Sequence, residues 1–165
     1  MGSPMNEPFR LGSADTLLHH LHGSWSVERS LRDHASGLTG RFAGVATFSF
    51  DDDALRHGEQ GTLIWAGSSP TPATRELFWR QASQPLSAEV FFSDGRFFHG
   101  LDLSTGQDSP LHQCSPDVYR GEFVLVDRDH WQYTWRVSGP QKDLTLMTRL
   151  TRTRETESLT SRRKA

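Results

Sequence analysis

Residues 88–103, Ala88-Glu89-Val90-Phe91-Phe92-Ser93-Asp94-Gly95-Arg96-Phe97-Phe98-His99-Gly100-Leu101-Asp102-Leu103, place two runs rich in aromatic and aliphatic residues on either side of Asp94-Gly95. That dipeptide between such runs is the strongest short-range signal for a β-hairpin, because a type I′ turn needs positive φ at both central positions. Strands are therefore expected over Ala88–Phe92 and Arg96–Leu103. The same pattern recurs on both sides of this hairpin. Ser24–Leu31, Arg41–Phe50, Arg56–Ala66, Thr74–Gln81, Asp117–Val126, Trp131–Val137 and Asp143–Arg152 alternate with period two, bounded by Gly, Pro, Asp or Ser.

No helix is expected between these strands. Successive hairpins without crossover helices make an up-and-down antiparallel sheet, and closing such a sheet removes the edges that invite aggregation. The expected fold class is all-β: a closed antiparallel up-and-down β-barrel of about eight to ten strands with a short N-terminal α-helix. The helix should start after Ser13 or Asp15, carry Leu17, Leu18 and Leu21 on one stripe and stop at Gly23. Residues 13–153 are expected to form a single domain. Residues 1–12 and 154–165 lack apolar periodicity and are expected to be flexible termini. Ser104–Pro116 is expected to be one long loop.

The chain has 165 residues, enough for one well-buried domain, and a formal net charge of -2 that disfavours nucleic acid. No apolar run approaches the length of a bilayer crossing, and no basic start leads into an apolar stretch, so a cytoplasmic protein with no membrane partner is expected. Its single cysteine, Cys114, excludes an internal disulfide. Ten Phe and five Trp provide large buried area and flat pocket walls.

Two groups of motifs carry a resemblance. Leu21-His22-Gly23-Ser24-Trp25 resembles the Gly-x-Trp opening of lipocalin-like (calycin) barrels, in which a tryptophan plugs the barrel floor under a basic residue of the last strand. Arg149 or Arg152 could supply that cation. Asp94-Gly95-Arg96-Phe97-Phe98-His99, residues 112–121 (His112-Gln113-Cys114-Ser115-Pro116-Asp117-Val118-Tyr119-Arg120-Gly121) and residues 135–143 (Trp135-Arg136-Val137-Ser138-Gly139-Pro140-Gln141-Lys142-Asp143) form the second group. Together these are similar to a functionally uncharacterised family of small lipocalin-like bacterial proteins, from Leu21 to Arg152. The resemblance implies a lipocalin-like barrel and no particular activity. Gln141 and His57 depart from it, where a basic and an aromatic residue would be expected.

Several residues could carry chemistry. Glu59 shares a strand face with His57, Leu63 and Trp65. A carboxylate inside an apolar barrel has its pKa raised and can act as a general acid or base; the alternative is a buried partner for an arginine. Arg29, beside Trp25 and Val27, and Arg75, beside Leu77 and Trp79, are expected to reach a carboxylate, either Glu59 or one on a ligand. The inward direction of Arg75 and His99 is open at this level. His99, His112 and Cys114 are the only cluster with metal-ligand chemistry, too few donors for a zinc site, so no metal and no cofactor are expected. His112 and Cys114 are expected to order the loop over the barrel mouth, with His99 a pocket donor. His19, His20 and His22 are expected on the solvated side of the helix. Trp79, Tyr119, Trp131, Tyr133 and Trp135 are candidate walls, and Asp117 a candidate polar contact.

The expected function is to bind a small anionic or carbonyl-bearing organic molecule in an aromatic-lined cavity. The alternative is a cofactor-independent isomerase, cyclase or lyase using Glu59 or His99 as acid or base. The only partner expected is that ligand, and a homodimer stays open.

Overall fold

The computed structural model describes residues 9–12 and 14–154. Residues 1–8, Ser13 and residues 155–165, with the expectations that fall on them, lie outside the described residues. A single helical turn and a half, α1 (Leu17–Leu21), precedes β1 (Gly23–Asp33), β2 (Thr39–Asp51), β3 (Ala54–Trp65), β4 (Thr71–Gln81), β5 (Ser87–Phe92) and β6 (Phe97–Asp102). Two short strands follow, β7 (Gln107–Asp108) and β8 (Leu111–Cys114), then β9 (Asp117–Asp127), β10 (His130–Ser138) and β11 (Asp143–Arg152). Ten strands follow one another in the order β6-β5-β4-β3-β2-β1-β11-β10-β9-β7, while β8 pairs with β9 off this path. Every ladder is antiparallel, so the chain forms an up-and-down, nearly closed barrel in which β1 joins β2 to β11.

Closure is completed by side chains. No backbone ladder joins β6 to β7 or β8. The backbone N–H of Asp102 donates to Asp108 Oδ2 at 2.8 Å, and His112 packs edge-on against Phe98, with ring centroids 5.1 Å apart. The expected loop 104–116 thus contains both short strands that line this seam.

Period-two alternation sets the interior. Trp25 and Val27 on β1, Phe42, Ala46 and Phe48 on β2, Leu77 and Trp79 on β4, and Trp131, Tyr133 and Trp135 on β10 are all buried. Phe9 and Leu11, N-terminal to the expected start of the domain, also pack into this core. Gly44 and Gly61 face one another across β2 and β3, where a Cβ on either would collide with the opposite backbone, so the two strands can approach and bend there.

The barrel floor is a ring of tryptophans. Trp131 meets Trp25 and Trp79 edge-to-face at 6.2 Å each, and Phe48 fills the space between Trp79 and Trp131. Trp25 Nε1–H donates to Leu21 O at 2.8 Å, tying the floor to α1. Of the two candidate cations, Arg152 is the one above Trp25: its guanidinium carbon lies 4.1 Å from the ring centroid. It also donates to His20 O and Asp129 Oδ1, at 2.8 and 3.0 Å.

Three expectations need correction. The helix is capped by Thr16, whose side chain accepts from His19 N–H, and not by Asp15. Only His19 and His22 are exposed; His20 is buried beside Trp25, and burial together with Arg152 lowers its pKa to about 4. The Asp94-Gly95 hairpin forms, but Asp94 is not among the positive-φ residues, whereas Gly95 has φ 91°. Gly95 N–H donates to Phe92 O and Phe92 N–H to Arg96 O, a three-residue loop closed by glycine.

Candidate functional site

A charged cluster lies above the tryptophan floor. Glu59 on β3 is 4% exposed, and Arg29 Nη2 on β1 donates to both its oxygens at 3.0 Å. His57, two residues along the same face, shares a hydrogen bond of 3.1 Å with Oε2, and Arg75 Nη2 on β4 reaches that oxygen at 3.5 Å. Tyr133 on β10 accepts from Arg29 Nη2 at 3.0 Å and from Arg75 Nη2 at 2.9 Å. Arg29 Nε donates to Thr148 Oγ1 on β11 at 2.8 Å. Residues on five strands of the barrel therefore meet at one level, as alternation predicts for Arg29, Glu59 and Tyr133.

The ionisation states follow from the contacts. Burial depresses the pKa of His57 against the pull of Glu59, so the imidazole is neutral. Trp79 Nε1–H donates to His57 Nδ1 at 3.3 Å, which leaves Nε2–H to donate to Glu59. Burial alone would raise the pKa of Glu59, but the hydrogen bond from His57 and the fields of Arg75 and Arg29 outweigh it and hold the carboxyl well below the usual carboxylate range. The shift is thus opposite in direction to the raised pKa expected, and Glu59 is the ionised partner of two arginines.

Arg75 and His99 both turn inward. The Arg75 side chain keeps 37% of its surface open, against 9% for Arg29 and 1% for Glu59, and its buried Nε has no hydrogen-bond partner among the described residues. The opening arises because β5 pairs only with Leu77–Gln81, leaving residues 71–76 of β4 an uncovered edge. A hollow of about 780 Å³ spans that edge, touching Glu59, Arg75, Leu77, Phe92 and Phe98 within and Arg56 and Glu76 outside. It is a side opening and not a sealed chamber. Pro72 sits on the same edge, where a strand tolerates proline.

His99 is 3% exposed among Phe98, Phe123 and Trp135, and burial lowers its pKa to about 4. Its Nδ1–H donates to Gly100 O at 3.0 Å. Phe98 and His99 are neighbours yet both buried, because the register slips by one residue between Val90 and Phe91. Trp135 stacks on Phe98 at 5.1 Å, and Tyr119 lies 6.4 Å from Trp135. Trp79 and Trp131 belong to the floor. His112 is half-buried in the seam, 5.5 Å from Tyr119, while Cys114 is exposed. Asp117 is held at the rim by Lys142 Nζ at 3.2 Å. Among the described residues no three His, Cys, Asp or Glu side chains come together to hold a metal ion, and no helix is long and apolar enough to cross a membrane.

Sequence reasoning missed two members of the cluster as site residues. His57 was visible as a polar residue on the Glu59 face, and Thr148 as the one hydroxyl among Leu144, Leu146 and Leu150.

A sequence profile described as a family of unknown function matches residues 21–152, four fifths of the chain. The chain belongs to the DUF6314 family. No curated protein matches it. The DUF6314 barrel is similar in structure to the S-type phycobiliprotein lyase CPES from Guillardia theta, with a TM-score of 0.62 and 9% identity over 83% of this chain and 90% of that one. It also resembles Rv2717c from M. tuberculosis, with a TM-score of 0.49 and 14% identity over 83% and 95% of the two chains. A DUF3598 protein of unknown function from Nostoc punctiforme gives a TM-score of 0.46 and 12% identity over 92% of this chain and 53% of that one. At 9% identity the likeness to the lyase shows the barrel fold alone.

Proposed function

We propose that this barrel binds a small organic anion, its charged end at Arg75 and Tyr133 and its body against the aromatic wall of Phe98, Tyr119 and Trp135. One observation carries the reading. Two guanidinium groups share the single carboxylate of Glu59 while His57 is neutral, so the cluster holds one uncompensated positive charge next to an accessible opening. A partly buried cation without a counterion carries a desolvation cost, and a ligand anion would relieve it. Arginine suits the role because its planar fork matches an oxyanion in two-point contact. A related barrel that serves as a phycobiliprotein lyase is consistent with a site inside this architecture, and no more than that.

The test is thermal melting and native mass spectrometry with paired organic anions and their neutral amides, on the wild-type protein and Arg75→Met. Anions should raise the melting temperature of the wild type and leave the variant unmoved. Equal shifts by the neutral compounds, or retained anion shifts in Arg75→Met, would overturn the reading.

A second reading, as a cofactor-independent acid–base enzyme, is favoured by His99 alone. Its neutral ring, with Nδ1–H committed to Gly100 O, keeps Nε2 as a proton acceptor beside Trp135. In that case His99→Gln should abolish turnover while sparing affinity; loss of both together would argue against it.

A further inference from the structure

We infer that the anion is a singly charged carboxylate on an apolar, ring-bearing body, an inference that rests on the lumen being an anion site. Hydrogen-bond capacity and charge both point there. Each oxygen of the cluster already accepts at least one hydrogen bond. Glu59 Oε1 accepts from Arg29, and Oε2 accepts from Arg29, His57 and, more distantly, Arg75. Thr148 Oγ1 accepts from Arg29.

Tyr133 decides the chemistry of what lies above it. Its oxygen already accepts from two guanidinium groups, so the phenol O–H is left to donate. Arg75 adds the part of its side chain that stays open to the hollow. A ligand head at this place meets the Arg75 guanidinium and the phenol O–H, which favours a group that accepts and carries negative charge. A carboxylate suits both the donors and the charge, whereas a primary amide cancels none of the excess positive charge.

Charge separates a monoanion from a dianion. The cluster carries one excess positive charge, which a monoanion cancels. A phosphate ester with two charges would replace one buried imbalance by another of opposite sign. Beyond the head, Leu63, Ala73, Phe92, Tyr119 and Leu146 are partly exposed apolar residues packed on the core, a surface for rings or hydrocarbon and not for a second charge.

Isothermal titration calorimetry at about pH 8, where a phosphate monoester is doubly charged, tests this with 2-naphthoate, 2-naphthamide and 2-naphthyl phosphate. The carboxylate should bind the wild type at least about tenfold more tightly than either analogue. Arg75→Met should remove most of that preference. Tyr133→Phe, which keeps both arginines and the ring, should weaken the carboxylate several-fold and leave the amide unchanged. Circular dichroism confirms that each variant is folded, and Tyr133→Phe is decisive if Arg75→Met is not.

Phosphate binding as tight as the carboxylate, and dependent on Arg75, would overturn the single-charge inference while leaving the anion reading standing. Carboxylate binding no tighter than the amide, or absent, would overturn the inference. Carboxylate affinity indifferent to both substitutions would remove the anion reading as well.

Discussion

Glu59 holds the interior together because three side chains point at it and it carries the one negative charge among them. Replacing it with Gln leaves Arg29 buried beside a neutral amide, and breaking a buried ion pair such as Arg29–Glu59 costs about 3–5 kcal/mol. Urea unfolding of Glu59→Gln should show a loss of that size, and a variant as stable as wild type would mean that the arginines are solvated without needing the Glu59 charge. The acid response has a defined sign. His20 and His99 have pKa values lowered from 6.5 to about 4 in the folded chain, so between those values the unfolded chain binds more protons. The stability they confer is complete above pH 6.5 and is lost progressively as pH falls towards 4. Glu59, whose folded pKa is also depressed, adds its own loss below the ordinary carboxylate range. Melting temperature should therefore decline already between pH 6.5 and 4, and His99→Gln should flatten that decline. Parity along the strands was enough to place Arg29, Glu59 and Tyr133 together. It could not supply the direction of the Glu59 shift, because that depends on which cations arrive from other strands.

Two elements show how backbone geometry positions these groups. Gly44 and Gly61 let β2 and β3 approach, and a methyl group at Gly61 would meet Ala43 O, the Gly44 Cα and the Phe42 ring. Gly61→Ala should cost about 2 kcal/mol or more, as overpacking does. Gly100→Ala is the matched control: a methyl group there would have nothing within 4 Å, and the φ of Gly100 is not positive, so the change should be neutral or slightly stabilising. Equal losses in the two variants, measured by chemical denaturation, would contradict the close-approach account. The hairpin at residues 88–103 was legible as a hairpin, but its three-residue turn and the bulge opposite Val90 were not. Both depend on how β5 and β6 twist against β4, which local sequence does not encode. The bulge brings His99 and Phe98 into the same interior, where simple alternation would have set them on opposite faces.

At the scale of the molecule, the barrel is fastened at its floor and open at the side along β4. Arg152 joins the last strand to Trp25, to the carbonyls of His20 and Arg128 and to Asp129. Arg152→Met should cost about 2 kcal/mol or more, since the cation–π contact and several charge-assisted hydrogen bonds disappear together. Circular strand order was readable from the run of hairpins, as was the plug formed by the Gly-x-Trp opening and a basic residue. The side opening at β4 was not, because it follows from β5 being shorter than its neighbour. That opening is what makes the excess charge at Arg75 reachable. The most direct measurement is anomalous diffraction from crystals soaked in bromide. A peak within hydrogen-bonding distance of Arg75 and Tyr133, absent in Arg75→Met, is the expected result; halide found only on the outer surface, with the lumen empty, would contradict the assignment of this cluster as an anion site.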